Sequence, residues 1–159
     1  MLRRTLLIAI TFAVAAPALA TVEQPADIVA AIYKVSAGKK GDYSGNSAFN
    51  DKSIRARYFS KGLMAAVMKM EKKSQATNEP ILDFDPVSDS QDPSVKRLKI
   101  TLEGTDNTNS VVAASFYSFD NKEPSIVRYF FIAESDGWRL DNMTGGTGDL
   151  KWSLRDLIK

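Results

Sequence analysis

Cysteine and histidine are both absent from the 159 residues of this sequence. Without cysteine there is no disulfide framework, no thiol nucleophile and no thiolate metal site. Without histidine there is no Ser-His-Asp triad, no imidazole general base and no ordinary zinc site. The chemistries that remain are those of carboxylate, tyrosine and lysine side chains and of a serine–lysine pair. We therefore predict no catalytic residue, no metal site and no cofactor, and we favour a function that is not enzymatic.

The beginning of the sequence has the pattern of a secretory signal peptide. A short basic start precedes the apolar run of residues 6–16, and the tripeptide at 18–20 fits the small-x-small rule for cleavage. The apolar run is too short for a retained membrane anchor, which needs about 20 apolar residues. We expect residues 1–20 to be removed, which leaves residues 21–159 as a single domain in the periplasm with no membrane span.

The small excess of positive charge lies in this leader. The full chain has 21 basic and 19 acidic residues, and two of the basic ones, Arg3 and Arg4, precede the cleavage site. The remaining domain is therefore formally neutral. A neutral domain gives no electrostatic reason to expect nucleic-acid binding.

A helix and a glycine-rich loop open the expected domain. Ile28, Ile32 and Val35 repeat at helical spacing, and Gly38 marks the predicted end of this helix. Residues 38–46 contain three glycines but no phosphate-binding motif and no preceding strand. We interpret them as an exposed loop.

A strongly basic helical segment lies within residues 51–73. It carries seven basic and two acidic residues, with three methionines among them. Leu63 and Val67 belong to its apolar stripe, and Gly62 is a candidate break between a short and a longer helix. Such a helix is suited to an acidic partner or a membrane surface. The simpler interpretation is a core helix whose lysines cover apolar surface and remain solvated.

The next segment, residues 79–92, is acidic and rich in proline. It has five carboxylates and no basic residue, so we expect its charge and that of the basic helix to neutralise each other. Carboxylates are the ligands that calcium prefers, but the spacing of a calcium-binding loop is missing. We predict a rigid, extended linker without a metal.

Four antiparallel strands are predicted between residues 98 and 143. Residues 98–103 alternate as in a strand with one buried face. Residues 111–119, and residues 126–133 apart from Arg128, are apolar on both faces, which indicates strands that are covered on both sides or line a cavity. The dipeptide at 136–137 predicts a tight hairpin. A short helix follows within residues 149–158. Helices followed by consecutive strands define the α+β class.

The order of these elements, and the segment Gly-Trp-Arg-Leu-Asp-Asn-Met at 137–143, resemble the NTF2-like (cystatin-like, SnoaL-type) α+β cone. Together with the dipeptides at 85–86 and 91–92 and the segment at 153–157, they look like a group of small exported bacterial domains of unknown function. The resemblance covers residues 23–158. It implies N-terminal helices packed on a curved antiparallel four-stranded sheet with a short C-terminal helix, and an exported location. It implies no activity.

The cone is similar to that of ketosteroid isomerases and related dehydratases, whose pocket holds an Asp base and Tyr or Asp oxyanion donors. By residue type alone, Tyr117, Tyr129 and Asp141 are the available counterparts here, and Trp138 lies beside them in sequence. We take these four as candidate ligand-pocket residues and assign none of them a catalytic role. Otherwise the tyrosines are amphipathic sheet residues and Asp141 is an exposed strand carboxylate.

Three functions stay open at this point. The first is an exported, non-catalytic domain that binds an unknown small ligand or an exported protein. The second is an inhibitor or immunity-type partner that uses residues 38–46 or the basic helix. The third is a small isomerase-like or dehydratase-like enzyme, which requires a buried carboxylate. A homodimer through residues 111–119 or the neighbouring strand is also open, and the sequence identifies neither ligand nor partner.

Overall fold

The computed structural model describes residues 22–119 and 121–159, so the predicted signal peptide lies outside the described residues. The α+β class is confirmed, because three helices precede an antiparallel sheet and a short helix follows it. In chain order the elements are α1 (Pro25–Ala37), α2 (Lys52–Tyr58), α3 (Lys61–Thr77), β1 (Lys96–Thr105), β2 (Asn109–Tyr117), β3 (Ser125–Glu134), β4 (Gly137–Gly145), β5 (Trp152–Ser153) and α4 (Leu154–Leu157).

The sheet is a meander in which every strand pairs with its neighbours in sequence. Its spatial order is β1-β2-β3-β4-β5, and all pairs are antiparallel. The prediction of four strands is wrong by one. The fifth strand consists of Trp152 and Ser153, which pair with Gly145 and Thr144. Two residues are too few to show a periodic pattern, so sequence alone does not reveal this strand.

Helix α1 ends where the sequence predicts. Pro25 occupies the first turn, where its fixed φ fits and its missing N–H has no partner to lose. The chain leaves the helix at Gly38, whose φ of 64° lies in the left-handed region that glycine adopts without strain. Ile28, Ile32 and Tyr33 form a buried face that packs on the sheet.

The helix-facing side of the sheet forms the core. Val112, Tyr129 and Met143 lie opposite one another on three adjacent strands, and each is at most 1% exposed. On β3 the alternate residues Val127 and Phe131 are buried as well. This period of two confirms that these apolar segments are strands of the inner layer.

A β-bulge in β4 adjusts which side chains enter this core. Leu140 and Met143 are both buried, although a regular strand places residues at this spacing on opposite faces. The register shifts between Phe130 and Phe131 of β3, which leaves Asp141 as the extra residue of β4. The bulge therefore lets both apolar residues face the helices.

The opposite face of the sheet is less covered than the two apolar strands predict. On this face Ile126 is 38% exposed. Ala113 is buried, and an ion pair 2.8 Å long joins Arg128 of β3 to Glu103 of β1 across the strand between them. Burial on both faces was the expectation, whereas the outer face is half-buried and partly polar.

Strand β1 forms one edge of the sheet. Its alternating sequence predicts a buried face, but Leu102 is 50% exposed, because this strand has a paired neighbour on one side only. The pairing with β2 is interrupted by two register shifts, and Lys96, Arg97 and Lys99 are exposed along the strand. Irregular edges with cationic side chains discourage pairing with further strands.

The break between α2 and α3 falls at Phe59 and Ser60 rather than at Gly62. The Ser60 hydroxyl accepts the N–H of Leu63 and caps α3, and the Ser60 N–H donates to the Leu140 carbonyl at 2.8 Å. Gly62 lies inside α3, where a Cβ would be 2.7 Å from the guanidinium of Arg155. This glycine therefore provides space for a neighbouring side chain and does not end a helix.

Candidate functional site

The interior between the helices and the sheet is filled. The cavity found there measures about 10 Å³ and is lined by apolar side chains. A single water needs about 10–15 Å³ and several polar partners. This cavity between the helices and the sheet therefore has no room for a ligand, and it is there that a cone-shaped enzyme would hold its substrate.

Tyr129 is a core residue and does not face a pocket. It is completely buried, and its ring lies 6.2 Å from that of Tyr33 in an edge-to-face arrangement. The Tyr33 hydroxyl donates to the Val87 carbonyl at 2.8 Å, whereas the Tyr129 hydroxyl has no hydrogen-bond partner among the described residues. Burial raises the pKa of both phenols, so they stay protonated at neutral pH.

Asp141 connects three elements. The hydroxyl of Ser60, at the start of α3, donates to its carboxylate, and Arg155 of α4 forms an ion pair with the same carboxylate. The Nε of Arg155 also donates to the backbone carbonyl of Asp141 at 2.8 Å. This carboxylate at the bulge holds α3, β4 and α4 together.

Tyr117 and Trp138 lie in two separate surface depressions. Tyr117 packs under the guanidinium of Arg97, 5.7 Å from the ring centre, at the end of β2. Trp138 lies in a depression of about 260 Å³ beside Tyr58, next to the β3–β4 hairpin. The structure therefore does not bring the four candidate pocket residues together into one site.

Asp85 in the acidic segment is saturated with hydrogen bonds from its surroundings. Its carboxylate accepts the backbone N–H groups of Val87 (3.1 Å) and Ser88 (3.2 Å), and the Ser88 hydroxyl at 2.8 Å. The hydroxyl of Ser47, in the turn before α2, donates to it as well. This carboxylate therefore shapes the loop and joins it to the helical layer.

Asp89 fastens the same loop to the end of the sheet. Its carboxylate accepts the indole N–H of Trp152 at 2.6 Å and the backbone N–H of Gly146 at 3.1 Å. Its φ of 51° is left-handed, a conformation that Asp tolerates better than most residues. Within the described ranges, no group of three or more acidic side chains has the geometry of a metal site.

The lysines of α3 have a different environment. Lys61, Lys69, Lys72 and Lys73, which we name the lysine face, are exposed. Among the described residues, none of these four lies within ion-pair distance of a carboxylate. The expected neutralisation through ion pairs between the basic helix and the acidic segment is therefore not found among the described residues. Asp85 and Asp89 accept hydrogen bonds from serine hydroxyls, backbone N–H groups and the indole of Trp152 instead.

A groove of about 380 Å³ lies beside the lysine face, between α2, α3 and the β3–β4 hairpin. We name it the α3 groove. Met68 is 61% exposed at its side, so an apolar side chain stands among the lysines. The apolar part of the lining is formed by Ala56, Phe59, Met64, Ala65 and Met68.

The carboxylates that line the α3 groove are already engaged. Glu134 accepts the backbone N–H of Lys61 at 3.1 Å, at the first turn of α3. Asp136 forms an ion pair with Arg139 at 2.5 Å. The lining has two basic side chains, Lys61 and Arg139, and two acidic ones, Glu134 and Asp136, so its formal charges balance. The excess of positive charge lies beside the groove on α3, at Lys69, Lys72 and Lys73.

A second groove, of about 370 Å³, lies between the end of α3 and the acidic segment, where Met70 and Phe84 contribute to its lining. Near it, the almost buried guanidinium of Arg55 pairs with Glu71 at 2.6 Å. Neither groove was predicted as a site from the sequence. The unbalanced charge of α3 was a signal for the first, whereas the second depends on the irregular path of a proline-rich segment.

No family model matches the chain, and no curated protein or solved structure matches it at a significant level. Within residues 22–119 and 121–159, none of the helices has both the length and the apolar character that crossing a bilayer requires.

Proposed function

We propose that this chain is an exported, non-catalytic interaction domain of the NTF2-like type that acts in the periplasm. It binds an exported protein through the lysine face and the α3 groove. The observation that supports this most is a set of exposed lysines that form no ion pair with any described residue, beside an exposed methionine and an open groove. An inhibitor or immunity role is one form of such binding.

The charge on α3 carries a cost in the free protein. Lys69 lies three and four positions before Lys72 and Lys73, and like charges at these spacings destabilise a helix by about 0.2–0.5 kcal/mol per pair. The described part of α3 has one carboxylate, Glu71, and it is engaged with Arg55. A partner that brings carboxylates to this face relieves the repulsion between the lysines, and this relief favours binding.

A protein partner fits this face better than a small ligand. Small-molecule sites bury most of the ligand in a closed pocket, whereas the α3 groove is open along the helix and the interior cavity is only about 10 Å³. The isomerase-like alternative needs a carboxylate that faces a cavity. Asp141 and Tyr129 make packing and hydrogen-bond contacts instead, so we do not propose it.

In-cell crosslinking tests this proposal. A photoreactive amino acid replaces Met68, which is exposed and whose change leaves the core intact. The matched control places the same amino acid at Thr101, an exposed position on the outer side of β1. We expect a discrete crosslinked species from position 68 that position 101 does not give. Absence of a species at position 68, or identical patterns at both positions, would overturn the proposal.

A further inference from the structure

We propose that the α3 groove receives an acidic, amphipathic segment of the partner protein. Its apolar side chains enter the groove, and its carboxylates contact Lys61, Lys69 and Lys72. This inference rests on the proposed function, because it takes the exposed face of α3 as the binding surface, and it adds the chemical class of what binds there.

The shape of the surface favours a protein segment over a membrane. A helix that lies in a bilayer presents a continuous, protruding apolar face. On α3 the exposed apolar side chain of large size is Met68, whereas Phe59 is buried and Met64 is half-buried at the wall of a concave groove. A concave apolar surface is complementary to side chains that project from a partner, as in helix-in-groove recognition.

The arrangement of charge selects acidic partners. With 3.6 residues per turn, Lys61, Ala65, Lys69 and Lys72 follow one another along the same side of α3, and Met68 lies next to them. Asp136 is paired with Arg139, and Lys69, Lys72 and Lys73 are exposed with no ion pair among the described residues, so this side of α3 attracts carboxylates. A charge pattern of this kind raises association rates and excludes basic segments.

The length of the lysine face indicates the size of the partner segment. Lys61 and Lys72 are about 16 Å apart along the axis at 1.5 Å per residue, which corresponds to about three turns of a partner helix. A nucleic acid would also contact lysines, but it has no apolar side chains to fill a groove lined by Ala65 and Met68. The apolar lining therefore favours a peptide over a nucleic-acid backbone.

A selection experiment with the purified protein tests the inference directly. Random peptides displayed on phage are selected against the immobilised protein, and the enriched peptides are synthesised and their Kd measured by calorimetry at low and physiological ionic strength. We expect enriched peptides to carry Asp and Glu around spaced Leu, Phe or Met residues. Their binding should weaken as salt rises, because screening shortens the range of the attraction.

Three variants locate the binding site. The triple change Lys61→Glu, Lys69→Glu and Lys72→Glu should raise the Kd of the peptides about tenfold or more. Ala65→Gln, at an exposed position of the groove, should weaken their binding, because the longer, neutral side chain fills the space for their apolar side chains without adding a charge. The matched control makes the same change of charge at three lysines away from the groove, Lys39, Lys40 and Lys99, and should leave affinity within about twofold.

The outcomes separate this inference from the proposed function. Enriched peptides that are basic or neutral, or acidic peptides that bind the triple variant as tightly as the control, overturn the acidic-segment inference. Binding of phosphatidylglycerol vesicles or of a DNA oligonucleotide that depends on the same lysines, with no peptide enriched, overturns it in favour of another polyanion. In each case a crosslink at position 68 still supports the proposed function as an interaction domain. Absence of that crosslink overturns both the proposed function and the acidic-segment inference.

Discussion

The acidic segment of residues 79–92 and helix α3 carry opposite charges, and they use them in opposite ways. Asp85 and Asp89 accept six hydrogen bonds between them from serine hydroxyls, backbone N–H groups and an indole. The lysine face makes no ion pair within the described ranges and points to solvent. One charged segment therefore belongs to the architecture of the domain, whereas the other remains available for a partner.

The difference follows from the chemistry of the side chains. Aspartate is short, and its oxygens reach the N–H groups of the next residues, so it shapes turns. Lysine has a long stem and a strongly hydrated ammonium group, so it keeps its charge in water. The net charge of a segment does not show whether its side chains form structural hydrogen bonds or remain in solvent. The spacing Asp85-x-x-Ser88, however, does indicate structural hydrogen bonds.

The largest effect is expected for Asp85→Ala. Removing this carboxylate leaves two backbone N–H groups and two serine hydroxyls without their acceptor. Hydrogen bonds to a charged group contribute about 1.5–3 kcal/mol, and unpaired donors add a penalty. We therefore expect a loss of about 3 kcal/mol of unfolding free energy, measured by urea denaturation followed by circular dichroism.

The control for this prediction is Asp83→Ala in the same segment. Asp83 is exposed, and its one side-chain hydrogen bond is with Gln91 at 3.3 Å. Its loss should change the unfolding free energy by less than about 0.5 kcal/mol. Equal effects at the two positions would show that the segment acts through its overall charge and not through the hydrogen bonds of one carboxylate.

A smaller loss, of about 2 kcal/mol, is expected for Asp89→Ala, because two donors lose their acceptor and alanine disfavours the left-handed φ of 51°. Asp89→Asn should recover about half of it, since asparagine tolerates this conformation and retains one acceptor oxygen. The measurement is again a urea titration. If the asparagine variant were as unstable as the alanine variant, the negative charge of Asp89 would hold the loop, and not its position as a hydrogen-bond acceptor.

The acid side of the pH profile tests hydrogen-bonded aspartates outside this segment. The Ser53 hydroxyl and neighbouring N–H groups lower the pKa of Asp51, and the N–H groups of Thr108 and Asn109 lower that of Asp106. A folded pKa below the unfolded value gives stability that is present above about pH 4. It is lost as the pH falls through the folded pKa.

Because the chain has no histidine, no side chain with an ordinary pKa titrates between pH 5 and 8. We expect constant stability in that interval, a decline below about pH 4, and a shallower decline in Asp106→Asn. The measurement is thermal unfolding across the pH range. A slope between pH 5 and 7 would contradict this expectation, since it would require a strongly shifted carboxyl group that the hydrogen bonds described above do not explain.

The smallest effect on stability is expected for the lysine face. The triple change of Lys61, Lys69 and Lys72 to Glu should alter the unfolding free energy by less than about 1 kcal/mol, because the side chains are exposed and make no ion pair in the described part of the chain. Thermal denaturation measures it. A loss of several kcal/mol would show that these lysines stabilise the fold and would remove the contrast with the acidic segment.

The sequence predicted the class of the fold because its signals were long and periodic. Ile28 and Ile32 of α1 repeat at helical spacing before Gly38, and the apolar segments that form β2 and β3 extend over many residues. It did not predict strand β5, which is two residues long, or the bulge at Asp141, which depends on pairing with β3. Both are set by tertiary contacts that leave no local pattern.

The candidate site was predicted less well, for a related reason. Residue type selected Tyr129 and Asp141, but the space around a side chain depends on how elements pack. Tyr129 enters a filled core, and Asp141 meets Ser60 and Arg155 from two different helices. The excess of lysine on α3 was visible in the sequence. The lack of ion pairs for these lysines depends on tertiary contacts, because Asp85 and Asp89 bond to Ser47, Gly146 and Trp152.

The two tryptophans occupy positions that make them natural optical reporters for these two regions. Trp152 donates to Asp89 and packs edge-on against Phe84, with ring centres 5.2 Å apart, so its emission follows the integrity of the acidic segment. Trp138 precedes Arg139, which lines the α3 groove, so its emission follows events near the hairpin. Two variants, each with one tryptophan, would let intrinsic fluorescence report loop opening and partner docking separately, with no dye attached.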